Sequence, residues 1–105
     1  MDINRFRAVN SAENIVVTQH GLRRLRERGV LLRDVMSAID NGEIIEEYPE
    51  DFPFPSCLIL GSSVQGKALH TVVSLNDGLI YLITAYFPDP EIWEDDLKTG
   101  KEKST

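Results

Sequence analysis

The first forty residues carry apolar side chains at the spacing of α-helices. The clearest run falls at i, i+3, i+4 and i+7, at Leu32, Val35, Met36 and Ile39. It predicts a helix over about 31–41 whose buried face holds these four residues. A helix is also predicted over about 19–28, because Thr18 can cap its start and Gly29 can end it.

A shorter helix is predicted at the N-terminus, where Asp2 can cap a turn that places Ile3, Phe6 and Val9 on one side. Residues 14–17 follow as a brief β-branched stretch. Their composition predicts an extended conformation.

After Gly42 the pattern changes from helical to strand periodicity. Four strands are predicted, over about 44–48, 56–60, 68–75 and 79–87. Gly61 is expected to end the second strand. The segment Asn76-Asp77-Gly78 predicts a tight hairpin between the last two, since these residues tolerate positive φ.

The element order predicts an α+β fold with N-terminal helices packed on a four-stranded antiparallel meander sheet. Asp89-Pro90 has the cap and first-turn proline of a short C-terminal helix over 91–96. Residues 1–97 are expected to form a single domain, and residues 98–105 a flexible tail.

Composition narrows the class of protein. The chain has 105 residues, of which 42% are hydrophobic, enough for one core. A single cysteine, Cys57, excludes an intramolecular disulfide and is expected to be a small buried side chain. The sequence has no apolar run of the roughly 18 residues that a membrane helix needs. It begins without an apolar signal core, so a cytoplasmic protein without membrane association is expected.

Charge is divided unevenly along the chain, whose net charge is −6. Residues 1–35 hold seven basic against four acidic residues, a balance of +3, and residues 36–105 hold four against thirteen, a balance of −9. The net field disfavours RNA as a partner without excluding a local basic patch. The same polarity suits a protein partner or self-association.

Three basic side chains lie four residues apart along one stripe of the 19–28 helix: His20, Arg24 and Arg28. A histidine beside two guanidinium groups can move a proton while the arginines hold a phosphate. The alternative is a solvated helix face, with Arg28 bonded to carbonyls at the helix end. The pattern leaves both interpretations open.

The predicted sheet adds His70, with Val72 and Ser74 on its side of the strand. Regular alternation through a two-residue turn places Thr84 and Tyr86 on the opposite side, where they could line a pocket. Both sides are largely apolar, so the pattern does not decide which one the helices cover. His70 can equally be a half-buried structural side chain, and Tyr86 an ordinary sheet aromatic.

No cofactor and no metal ion is expected. The two histidines are fifty residues apart without cysteine support, and the acidic residues lack the spacing of a calcium loop. The sequence has no glycine-rich phosphate loop, dinucleotide fingerprint or nucleophile elbow.

Several segments together resemble a prokaryotic family, domain of unknown function 4258. They are Thr18-Gln19-His20-Gly21-Leu22, Arg26-Glu27-Arg28-Gly29-Val30, Ile39 to Ile45, Leu69-His70 with Val72-Val73, and Ile83-Thr84-Ala85-Tyr86 followed by Pro88-Asp89-Pro90 and Trp93. The resemblance spans about residues 15–95. That family is similar to ribonuclease toxins of the RelE and BrnT type, in which helices precede an antiparallel sheet. The resemblance places five residues at recurring family positions: His20, Arg28, His70, Thr84 and Tyr86.

Two functions follow, and the sequence does not decide whether the protein is an enzyme. The favoured hypothesis is a non-catalytic protein-interaction module that uses a sheet edge or the aromatics Phe52, Phe54 and Trp93. The alternative is a metal-free endoribonuclease of the RelE/BrnT type. Its candidate catalytic residues are His20 as acid or base, Arg24 and Arg28 as phosphate ligands, and His70 or Tyr86 as second proton carrier.

Overall fold

The computed structural model describes residues 1–89 and Lys98. Three helices are formed: α1 (Ile3–Ala8), α2 (Gln19–Glu27) and α3 (Leu32–Asn41). Five strands accompany them: β1 (Ile15–Val16), β2 (Glu43–Tyr48), β3 (Ser56–Ser62), β4 (Ala68–Asn76) and β5 (Leu79–Tyr86). The α+β class is confirmed.

The helices begin and end where local chemistry directs. The side chains of Asp2 and Thr18 each accept a backbone N–H of the following turn, at 2.9 Å in both cases. Gly29 has a φ of 70° just beyond α2, a conformation that disfavours a side chain. At the start of α3, Asp34 accepts the backbone N–H of Leu31 at 3.0 Å. The helices predicted over about 19–28 and 31–41 are present with ends shifted by one residue or less, and the predicted short helix is present at the N-terminus.

The strand order in the sheet is β1-β5-β4-β3-β2. Strands β2 to β5 pair antiparallel in chain order, whereas β1 pairs in parallel with β5 through Ile15↔Ile80 and Val16↔Tyr81. The four predicted strands therefore do form an antiparallel meander, but the expectation of a purely antiparallel four-stranded sheet was wrong: β1 adds a fifth, parallel strand. A two-residue strand carries too little periodicity to indicate a partner so far along the chain.

Gly61 does not end β3, contrary to the prediction. It lies inside the strand, paired with Leu69, and is buried. A Cβ at position 61 would lie 2.3 Å from the carbonyl oxygen of Ala38. The glycine therefore allows α3 to pack directly against the backbone of β3.

The helices cover one face of the sheet, called here the helix-covered face. From the helices the core takes Phe6, Leu25, Val35, Ala38 and Ile39; from the sheet it takes Ile59, Leu69, Val73, Ile80, Leu82 and Ala85. Of the core predicted for α3, Val35 and Ile39 have no exposed surface and Leu32 packs against them partly buried. The opposite face, called the second face, includes His70.

The predicted helix over 91–96 lies outside the described residues, as does Trp93. So does the predicted tail apart from Lys98, whose ammonium lies 2.7 Å from a carboxylate oxygen of Glu43. Among residues 1–89 and 98, no helix combines the length and apolar character needed to cross a bilayer.

Candidate functional site

A bulge between β4 and β5 determines which side chains meet on the second face. Val73 pairs with Leu82, but Val72 pairs with Thr84, so Ile83 is an extra residue in β5. The extra residue reverses the facing of everything beyond it. Tyr86 consequently lies directly opposite His70, and the prediction that it lies on the other side of the sheet was wrong. Regular alternation, on which that prediction depended, fails at a bulge.

His70 and Tyr86 form a close aromatic pair. The Nδ1 atom of His70 lies 3.4 Å from the Tyr86 hydroxyl, and the rings meet edge to face with centroids 5.3 Å apart. His70 has no exposed surface. Burial raises the pKa of the Tyr86 phenol, the carboxylate of Glu46 acts in the same direction, and Arg28 opposes them. The phenol therefore stays protonated at neutral pH.

Arg28 completes the group from the end of α2. Its Nη1 donates to the Thr84 hydroxyl at 2.7 Å and to the Ala85 carbonyl at 3.1 Å. Its guanidinium carbon lies 5.9 Å from the centroid of the Tyr86 ring. We call Arg28, His70, Thr84 and Tyr86 the Arg28 cluster. Arg28 does bond a carbonyl, as one interpretation expected, but that carbonyl belongs to β5 instead of the helix end.

The remaining candidates, His20 and Arg24, are both exposed on α2. Within the described part of the chain, no hydrogen bond, ion pair or ring contact joins either one to the Arg28 cluster. Three of the five predicted catalytic residues thus meet: Arg28, His70 and Tyr86. Thr84, which the sequence suggested only as a pocket residue, anchors Arg28.

A separate apolar cavity of about 540 Å³ lies between the end of β1, the central part of β5 and the loop from β2 to β3. Six of its lining residues are large and apolar or aromatic: Val16, Phe52, Phe54, Tyr81, Leu82 and Ile83. We call it the Phe52 cavity. Phe54 packs on Tyr81 with ring centroids 5.4 Å apart, whereas the side chain of Phe52 is 95% exposed.

Sequence reasoning identified Phe52 and Phe54 but missed Val16 and Ile83. These two are 40% and 48% exposed. A β-branched residue in a strand normally suggests burial, so their sequence context gave no signal of exposure. The parallel pairing of β1 and the bulge in β5 place them at this surface.

The described residues contain no group of three or more histidine, cysteine, aspartate or glutamate side chains arranged to hold a metal ion. Cys57 is fully buried, as predicted. Burial raises the pKa of its thiol to about 12, so the reactive thiolate is absent at neutral pH.

The family described as Domain of unknown function (DUF4258) matches residues 17–87. The match spans α2, α3 and strands β2 to β5, and it contains the Arg28 cluster and Phe52. No curated protein and no solved structure matches the chain significantly.

Proposed function

The chain belongs to the DUF4258 family, a domain of unknown function, and from that premise we propose that it is a non-catalytic protein-interaction module. Its binding site is the Phe52 cavity. The observation that carries the proposal is a phenylalanine left 95% exposed at the rim of an apolar cavity. Burying such a side chain against a partner gains roughly 1.5–3 kcal/mol. Exposed apolar surface around a cavity is typical of interaction sites.

The charge around the cavity favours a basic partner. Asp51 lines it, and Glu50 lies beside it in the same exposed loop. Residues 36–89, which form most of the sheet and this loop, hold eight acidic residues against one basic residue. The occupant is therefore a segment of a partner protein with one aromatic or aliphatic anchor side chain flanked by lysine or arginine.

The Arg28 cluster supports a non-catalytic role. His70 is fully buried, and the raised pKa of Tyr86 removes it as a base at neutral pH. The Nη1 group of Arg28 donates two hydrogen bonds that join α2 to β5. Contacts of this kind hold the fold together.

A peptide-display selection on the folded chain tests the proposal without a known partner. Enriched peptides are expected to share an apolar anchor next to basic residues, and Phe52→Ser should weaken their binding at least tenfold. Val64→Ser is the matched control, because Val64 is also an exposed hydrophobic side chain, at 59%, but lies outside this cavity. The control should bind the same peptides unchanged.

Three results would overturn the proposal. These are the absence of any enriched motif, enrichment of acidic peptides, and equal loss of binding in the two variants. Light scattering of the purified chain tests whether a second copy of this chain occupies the cavity instead. A concentration-dependent dimer that Phe52→Ser abolishes would identify the occupant as a second copy.

A second candidate is a metal-free endoribonuclease of the RelE/BrnT type, favoured by one observation: Arg28, His70 and Tyr86 lie together. Its test is RNA cleavage by the purified chain at low salt with a chelator present. Activity that Tyr86→Phe abolishes in a protein that remains folded, together with growth arrest on induced expression that the same variant relieves, would establish it. Intact RNA and normal growth would exclude the endoribonuclease and keep the interaction module as the proposed function.

A further inference from the structure

A second cavity, of about 390 Å³, lies where the α2–α3 junction meets the turn between β3 and β4. Three cationic side chains line it: Arg28, Arg33 and Lys67. We call it the basic cavity. It shares no lining residue with the Phe52 cavity.

Among the described residues, none of these three cations lies in an ion pair. The acidic residue of the lining, Asp34, is 7% exposed and directs its two oxygens to the backbone N–H groups of Leu31, at 3.0 Å, and Val64, at 3.1 Å. Asp34 therefore joins the two walls of the cavity, and the described lining, with three cations against one carboxylate, has a net positive charge.

Two of the three cations are held in position. Arg28 is fixed by its bonds to Thr84 and the Ala85 carbonyl. The Lys67 ammonium lies 4.9 Å from the ring centroid of Phe87, which also lines the cavity. The cation–π contact favours an ammonium held over the ring instead of extended into water. Positioned charges bind an anion at a lower entropic cost than freely moving ones.

We propose that the basic cavity binds the phosphate group of a small phosphate monoester. Guanidinium and ammonium donors match a phosphate dianion in charge and hydrogen bonding. The volume lies within the range of small-molecule sites, which begins at about 300 Å³. Two apolar side chains of the lining, Leu31 and Val64, are 49% and 59% exposed and offer a surface for the organic part of the ligand.

The test is calorimetric titration of the full chain with adenosine 5′-monophosphate, inorganic phosphate and adenosine at matched ionic strength. Saturable binding is expected for the two phosphates, with none for adenosine. Arg33→Gln and Lys67→Gln should each weaken binding about tenfold or more, as expected for loss of a charged hydrogen bond. Both side chains are exposed and make no hydrogen bond within the described residues, so these variants should fold normally.

Arg23→Gln is the matched control, because it removes the same charge from an exposed position of α2 outside the cavity. If Arg23→Gln weakened phosphate binding as much as the cavity variants do, the loss would be explained by net charge alone, and the proposal would be overturned. Absence of saturable phosphate binding, or adenosine binding as tight as the monophosphate, would do the same. Phe52→Ser should leave phosphate binding unchanged, so this result is independent of the partner-protein experiment.

Discussion

Arg28 donates to the hydroxyl of Thr84 at 2.7 Å across 56 positions of sequence, and this contact joins the end of α2 to β5 beyond its bulge. The same nitrogen reaches the Ala85 carbonyl at 3.1 Å. Both acceptors lie past the two residues with which β1 pairs with β5. Arg28 thus bonds a part of β5 that lies beyond the reach of the two-residue strand β1.

Removing this guanidinium should destabilise the fold. Arg28→Gln is expected to lower the free energy of unfolding by about 2–3 kcal/mol, since it deletes charge-assisted bonds and leaves a carbonyl less satisfied. Thr84→Val should cost less, about 1 kcal/mol, because the bond to Ala85 survives. Urea unfolding measures both. Arg24→Gln, an exposed position one turn earlier, is the control and should be neutral; equal stability of Arg28→Gln and this control would contradict the structural role.

Alkaline pH should destabilise the protein through Cys57. Burial raises the pKa of its thiol from the ordinary 9.0 to about 12 in the folded state, so the thiol ionises first in the unfolded chain. Below pH 9 the thiol is protonated in both the folded and the unfolded state, so it does not lower the free energy of unfolding. Between pH 9 and pH 12 it ionises only in the unfolded chain, so the free energy of unfolding falls as the pH rises. The loss attributable to Cys57 should be on the order of 1 kcal/mol per pH unit in that window.

Chemical denaturation at pH 8 and at pH 10 measures this loss. Cys57→Ala is expected to be less stable than the wild type at pH 8, because it leaves a small cavity, but to lose less stability between the two pH values. An identical loss in both proteins would assign the alkaline sensitivity to other groups, such as the Tyr86 phenol, whose pKa is also raised.

The sequence predicted those parts of the fold that depend on local pattern and missed those that depend on pairing between distant segments. Helix caps at Asp2 and Thr18 were visible because capping involves residues within one turn. The bulge at Ile83 was not, because a bulge is a property of two strands and one strand's alternation does not record it. One extra residue therefore misplaced Tyr86 relative to His70.

The candidate site follows the same division. A helical stripe indicated Arg28 as a candidate residue, but its partners on β5 are set by tertiary packing. His20 and Arg24 share the stripe and remain exposed. The exposure of Val16 and Ile83 depends on sheet order, which a two-residue strand does not specify.

The predicted core of α3 yields a stability test. Val35 has no exposed surface, so Val35→Asp would bury an unpaired carboxylate. We expect this variant to be unfolded in the absence of denaturant and to show no cooperative urea transition. Val35→Ala gives a graded version and should lower the free energy of unfolding by about 2 kcal/mol through lost burial and a cavity. Circular dichroism with urea titration measures both. A folded, stable Val35→Asp protein would contradict the packing of α3 on the sheet.

Gly61 is a position where adding a single methyl group should destabilise the fold strongly. The nearest atoms to an added Cβ are the Ala38 carbonyl oxygen at 2.3 Å, its Cα at 2.6 Å and its carbonyl carbon at 2.8 Å, all backbone. No rotamer change relieves such an overlap, so Gly61→Ala should lower the free energy of unfolding by about 3 kcal/mol or more by forcing α3 away from β3.

Gly29→Ala is the control: its φ of 70° makes alanine unfavourable by about 1–2 kcal/mol, but the added methyl meets nothing within 4 Å. Adding Ala38→Gly to Gly61→Ala should not restore stability, because the obstructing atoms are present in glycine too. Rescue by that double substitution, or a cost for Gly61→Ala no larger than the control's, would show that α3 and β3 are farther apart than the structure has them.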